Sequence, residues 1–173
     1  MTAQRIEAVL RPASVAVVGA SATPGSIGDV LCRNLREGGF RGPVFYVNPR
    51  HESIAGEPSY PDVRSLPQAV DVAIIATPPP TLPAILEHCG VRGVRGAIIV
   101  SAGFREGGEE GATCESTMLQ VARRYGLRLL GPNSFGVIRT DDGFNASCGA
   151  ALPQPGRLAL VSQSSALCAA TLD

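Results

Sequence analysis

A glycine-rich turn set between an apolar run and a helical pattern is the stretch of this sequence best equipped for chemistry. Ser14–Val18 runs into Gly19, Ser21, Pro24, Gly25, Ser26, Ile27 and Gly28, after which Ile27, Val30, Leu31 and Leu35 recur at helical spacing. A buried strand, a glycine turn and a helix together make an anion site. The turn lets backbone N–H groups approach a phosphate, and the helix N-terminus adds partial positive charge. The pattern predicts a nucleotide-like ligand at this first crossover. Ser26 and Asp29 also form an ordinary capping pair, and an acid in the first turn disfavours a bound phosphate. Elsewhere the readings are plainer. His88 sits on a helix surface and His51 in a loop, Arg105, Glu106, Glu109 and Glu110 open a solvated helix, and Ser162 and Ser164 suit a helix cap.

The elements that must position this turn are legible in short apolar runs: Val15–Val18, Val44–Val47, Val72–Ala76, Ala97–Val100 and Leu127–Leu130. Between them Leu82, Ile85, Leu86 and Cys89, and then Cys114, Met118, Val121 and Tyr125, follow helical spacing. Pro83 suits a first helical turn and Gly126 a helix C-cap. Strands alternating with helices imply right-handed βαβ units and a parallel sheet with helices on both faces, an α/β fold of Rossmann-like type. The stretch Pro49–Gln68 lacks helical periodicity and reads as a loop or short extension. After Leu130 the character changes: 131–136 is a turn, and 141–156 reads as irregular and as a linker. Arg157–Val161 reads as a new strand that leads into a helix. The domain expectation is therefore 1–140 for the ligand-binding unit, 141–156 for a linker, and 157–173 for the truncated opening of a second α/β domain. A terminal extension packed on the first sheet is the other reading.

Composition narrows the function. The 173 residues suffice for a core without disulfide or metal staples. Formal net charge is zero with no basic cluster, which argues against a nucleic-acid partner. No apolar run is long enough to span a bilayer, and the N-terminus is too short and too charged for a secretory signal. Five scattered cysteines fit reduced, buried thiols in the cytoplasm better than a disulfide framework or a metal site. Every basic side chain is arginine, which excludes a P-loop lysine, a Schiff-base lysine and a lysine general base within this chain.

The ligand is less determined by these rules. The turn reads G-x-S-x-x-x-G-S-x-G, not the G-x-G-x-x-G of dinucleotide folds, and Asn48, Pro49, Arg50 and His51 stand where such folds place an acid for the ribose hydroxyls. Cationic groups there suit a ribose phosphate, which leaves NADP and coenzyme A open. A series of motifs resembles the CoA-binding domain of NDP-forming acyl-CoA synthetases, relatives of the succinyl-CoA synthetase α-subunit. It comprises Arg11–Ser21 with Pro24–Gly28, Val47-Asn48-Pro49, Ala76-Thr77-Pro78, Val100–Phe104, Gly131-Pro132-Asn133 and Leu158–Ser164. The resemblance spans essentially the whole chain. It implies that Gly19, Ser21, Gly25, Ser26, Ile27 and Gly28 wrap the CoA diphosphate, and that Asn48, Arg50 or His51 meet the phosphorylated ribose or adenine side. Thr77 and Pro78 would form a lip, Ser101, Ala102 and Gly103 would bound the adenine or pantetheine, and Asn133 and Ser134 would lie toward the thiol.

The sequence departs from that family at two motif positions. Ser134 stands where the family carries cysteine, and Ser165 where it carries glycine. The family's phosphorylated histidine comes from deeper in a second domain, and neither His51 nor His88 matches it. The resemblance thus implies a CoA-binding part of an ATP-dependent acyl-CoA ligase, without catalytic residues of its own. Its partners would be CoA and the remaining ligase domains or an ATP-grasp subunit, with a homo-oligomer one possible assembly. A stand-alone CoA-binding or regulatory module, or one fused to an acetyltransferase, is the alternative, and an NAD(P)-dependent oxidoreductase a third.

Overall fold

Runs of valine, isoleucine and alanine bounded by glycine, proline and charged residues form buried parallel strands, because both faces of such strands must be covered. The computed structural model describes residues 3–150 and 153–172. Met1, Thr2, Ala151, Leu152 and Asp173, which the expected domain ranges include, lie outside the described residues. Helix α1 (Ala3–Leu10) precedes β1 (Val15–Val18), α2 (Ile27–Glu37), β2 (Val44–Val47), β3 (Ser53–Ile54), β4 (Glu57–Tyr60) and β5 (Val72–Ile75). There follow α3 (Leu82–Val91), β6 (Gly96–Ile99), α4 (Glu109–Tyr125), β7 (Arg128–Leu130), β8 (Gly136–Arg139), β9 (Phe144–Ser147) and α5 (Ser165–Leu172).

The main sheet has the order β3-β4-β2-β1-β5-β6-β7. Val15 is in register with Val44 on one side and Val72 on the other, and Val72 with Gly96. Alternation along each strand feeds two cores. Val15, Val17, Val72, Ile74 and Ile98 pack with Val9 of α1 and Leu31, Cys32 and Leu35 of α2. Ala16, Val18, Ala73, Ile75 and Ile99 pack with Leu82, Leu86 and Cys89 of α3 and Met118 and Val121 of α4. Helices therefore cover both faces, and the fold is the expected Rossmann-like α/β sandwich. Pro83 sits in the first turn of α3, and Gly126 ends α4 in the left-handed conformation at φ 63°.

Four expectations need correction. Residues 49–68 contain a small antiparallel hairpin, and its strand β4 joins the sheet parallel to β2. The 141–156 stretch is not irregular throughout: Phe144–Ser147 is a buried strand that pairs with β8. Residues 157–161 are not a strand but exposed coil, because no neighbouring strand among the described residues offers its backbone partners. Cys32 and Cys89 are buried as expected, whereas Cys114 and Cys168 are only partly buried and Cys148 is exposed; all five cysteines are free. No helix among the described residues is long and apolar enough to cross a membrane.

Candidate functional site

Strand β1 lies between β2, reached through α2, and β5, reached after the β3–β4 hairpin. A crevice opens above such a switch point, at the carboxyl ends of the strands. The residues expected to bind the ligand follow the carboxyl ends of these strands. Gly19 follows β1, Asn48 with Arg50 and His51 follows β2, and Thr77 with Pro78 follows β5. Ser101, Ala102 and Gly103 follow β6, and Asn133 and Ser134 follow β7. Contacts join neighbouring loops. A Cβ on Gly19, whose φ is 86°, would come within 2.9 Å of the Thr77 methyl, and the Asn133 N–H donates to the Ser101 carbonyl at 2.9 Å.

The loop from 19 to 29 is shaped by its own hydrogen bonds. Ser21 Oγ accepts the Thr23 N–H at 3.0 Å, and the Thr23 carbonyl accepts the Ser26 N–H at 3.1 Å. Ser26 caps α2, its Oγ accepting the Asp29 N–H at 3.2 Å. The Asp29 carboxylate accepts the Gly25 N–H at 3.0 Å. Of the four amides from Gly25 to Gly28, those of Ile27 and Gly28 alone keep no acceptor among the described residues. Gly28 is the close-packing point. A Cβ there would collide with the Gly19 carbonyl oxygen and meet the Ser21 nitrogen at 3.0 Å. Beneath the loop, burial pushes the Cys32 thiol up to about 11, against the pull of a Ser21 backbone N–H. A buried neutral thiol is not a nucleophile.

Several expected site residues act as braces. Asn48 Nδ2 donates to the Ala20 carbonyl at 2.8 Å and its Oδ1 accepts the Arg50 N–H at 2.9 Å, so its amide ties two loops together. Ser101, buried, donates to the Ile75 carbonyl at 3.4 Å. Ser134 Oγ accepts the Gly136 N–H at 3.1 Å, a role a cysteine sulfur fills only weakly. The side chains of Arg50 and His51, both exposed, make no hydrogen bond or ion pair among the described residues. Thr77 accepts a hydroxyl hydrogen bond from Thr81 at 2.8 Å. Pro78, Ala102 and Gly103 are exposed.

Sequence reasoning missed three features. Glu106 Oε1 accepts the Gly103 N–H at 2.8 Å, and bonds from its own backbone N–H and that of Gly103 hold its carboxyl below the usual range. Asn34, 5% exposed in the middle of α2, donates to the carbonyls of Ser147 at 2.9 Å and Gly149 at 2.8 Å. A cleft of about 610 Å³ lies between the 131–139 segment and residues 160–168, with Asn133, Ser134, Phe135 and Cys168 among its lining. None of these has a local pattern; the one available signal was a lone polar residue, Asn34, on an apolar helix face.

Comparisons with known proteins bear on what this edge binds. Residues 13–140 match the family model described as a CoA binding domain. Acetate–CoA ligase (ADP-forming) I of Archaeoglobus fulgidus is 44% identical over 168 residues, 97% of this chain and 24% of that protein. The alpha subunit of acetate–CoA ligase (ADP-forming) I of Pyrococcus furiosus is 45% identical over 166 residues, 94% of this chain and 36% of the subunit. The dinucleotide-forming acetyl-coenzyme A synthetase 1 of Ca. Korarchaeum cryptofilum, solved with phosphate and ADP, superposes with a TM-score of 0.90 at 37% identity, covering 96% of this chain and 36% of that one. The chain thus spans a quarter to about a third of these relatives' lengths. Between the two ligands that the ribose-phosphate reading left open, the matches choose coenzyme A, and the chain belongs to the family of CoA-binding domains.

Proposed function

We propose that this chain supplies the CoA-recognition part of an NDP-forming acyl-CoA ligase, which joins a carboxylate to CoA at the expense of ATP. The observation that carries the reading is the pair of open amides at Ile27 and Gly28, set at the switch point of a fold whose family binds CoA. The residues fit the group. Two N–H donors stand at a helix N-terminus, and the missing Cβ of Gly28 lets that helix close onto Gly19. When bound, CoA contributes the thiol that receives the acyl group. The chain's own residues would bind and orient it. The Ile27 and Gly28 amides would hold the diphosphate within the loop formed by Gly19, Ser21, Gly25 and Ser26, and Arg50 or His51 would meet the 3′-phosphate. Asn48 and Ser101 would keep the loops in register. Thr77, Pro78, Ala102 and Gly103 would border the ligand, and Asn133 and Ser134 would lie toward the thiol end.

The remaining catalytic parts, including a phosphorylated histidine and a nucleotide-grasping unit, would come from outside this chain. Residues 157–173 would then belong to a second α/β unit, which fits the full exposure of Leu158 and Val161. Five free thiols suit a reducing compartment such as the cytoplasm. Calorimetry tests the reading: the chain is expected to bind CoA and to bind dephospho-CoA more weakly, without turnover. No binding at millimolar CoA overturns the function, whereas equal affinity for the two ligands overturns only the role of Arg50 and His51.

A further inference from the structure

The first turn of α2 contains an anion of its own. Asp29 reaches back to accept the Gly25 N–H at 3.0 Å while its own N–H donates to Ser26 Oγ at 3.2 Å. None of the ion pairs found among the described residues involves it, and Arg33, one turn further on, does not pair with it. Its carboxylate therefore has no ion-pair partner among the described residues, at the end of the helix where the open Ile27 and Gly28 amides lie. A helix N-terminus carries only about half a unit of positive charge. A full carboxylate there outweighs it. Holding the Gly25 N–H needs only an acceptor, which an asparagine amide also supplies. The charge is thus separable from the hydrogen bond.

We propose that Asp29 is a specificity-determining residue of the CoA site. Its hydrogen bond shapes the 23–26 turn, and its charge lowers the affinity for the diphosphate and confines that group to the Ile27 and Gly28 amides. The inference rests on the reading that the CoA diphosphate meets this loop. Like charges repel through space, so the effect falls on phosphate-bearing ligands, weakens with salt, and spares pantetheine, which carries no phosphate.

The test is calorimetric titration of the 173-residue chain and of Asp29→Asn with CoA and with pantetheine, at low and high salt. Asp29→Asn is expected to bind CoA about three- to tenfold tighter at low salt, with the gain shrinking to less than about twofold near 0.5 M. Pantetheine affinity is expected to stay the same. Asp29→Gln, which keeps an amide acceptor, serves as a second neutral variant should the first fold poorly, and its charged counterpart Asp29→Glu is expected to bind CoA less tightly than Asp29→Gln at low salt. Neutral variants that bind CoA no more tightly than wild type at low salt overturn the inference. A parallel change in CoA and pantetheine affinity does so too, since it marks a purely structural role. Absence of CoA binding by the wild-type chain overturns the underlying function and the inference with it.

Discussion

Gly28 and Gly25 lie three residues apart in one loop and are glycine for different reasons. A Cβ on Gly28 would run into the Gly19 carbonyl, whereas one on Gly25 would meet nothing within 4 Å and suffer only from the backbone's φ of 77°. Gly28→Ala must push α2 away from the end of β1, an overpacking cost of about 1–3 kcal/mol. Gly25→Ala incurs about 1–2 kcal/mol of left-handed strain and leaves the packing intact. Urea unfolding combined with CoA titration separates them. Gly28→Ala is expected to lose CoA affinity by tenfold or more, and Gly25→Ala to lose less. Equal losses would mean that loop conformation, not close packing, sets the site. At this scale the sequence showed the glycines and the Ser26 cap but not how Asp29 bonds. In the usual capping box the acid reaches the cap residue's own N–H. Here Thr23 has taken that N–H, and Asp29 turns to Gly25. Such a choice between adjacent donors depends on loop geometry that spacing does not encode.

Among the elements, the β8–β9 hairpin is tied to α2 along much of its length. The Phe144 ring lies 5.4 Å from that of Phe40, and Asn34 gives its amide hydrogens to the carbonyls of Ser147, the last residue of β9, and of Gly149 just beyond it. Replacing Asn34 with leucine leaves the buried carbonyls of Ser147 and Gly149 without these donors. Each orphaned acceptor costs about 1–3 kcal/mol, so Asn34→Leu is expected to destabilise the chain by about 2–6 kcal/mol. Amide exchange read residue by residue should show protection lost first in 136–147. Protection lost uniformly would mean that the hairpin is not a separable unit. The five main parallel strands were legible because each is an apolar run, buried throughout in β1, β5 and β6, partly in β2, and half-buried at the sheet edge in β7. Strand β9 was not, because Phe144-Asn145-Ala146-Ser147 buries two polar side chains that satisfy each other, Ser147 donating to Asn145 at 2.6 Å. The alternation has a strand's period, but it covers only four residues in a segment rich in glycine and alanine, too short a run to stand out as a strand. Residues 157–161 failed the other way: they carry the apolar run without a partner strand.

Across the whole molecule, two properties follow from composition and burial together. The first concerns the C-terminal segment, where α5 has no buried residue and Leu158 and Val161 are 101% and 96% exposed. Deleting 157–173 is expected to shift the melting temperature by less than about 4 °C, since little buried area is lost. A larger drop would show that this segment already stabilises the first unit. The second concerns alkaline pH. Burial raises Cys32 from 9.0 to about 11 and Cys89 from 9.0 to about 12. Above about pH 9 the unfolded chain ionises these thiols while the folded chain keeps them protonated, so the unfolded state binds fewer protons and stability falls as pH rises. The loss begins near pH 9 and runs until the folded thiols themselves titrate, at about 11 and 12. Each thiol contributes up to about 1.4 kcal/mol per pH unit in that window. Burial also raises Tyr46, which acts in the same direction. In most proteins lysine titration would overlay this range, but all 15 basic side chains here are arginine and stay charged. Urea unfolding between pH 8 and 11 should therefore show stability unchanged to about 9 and then declining, with a shallower decline in Cys89→Ala. A flat profile through pH 10.5 would mean that the two thiols are reached by water in the folded chain.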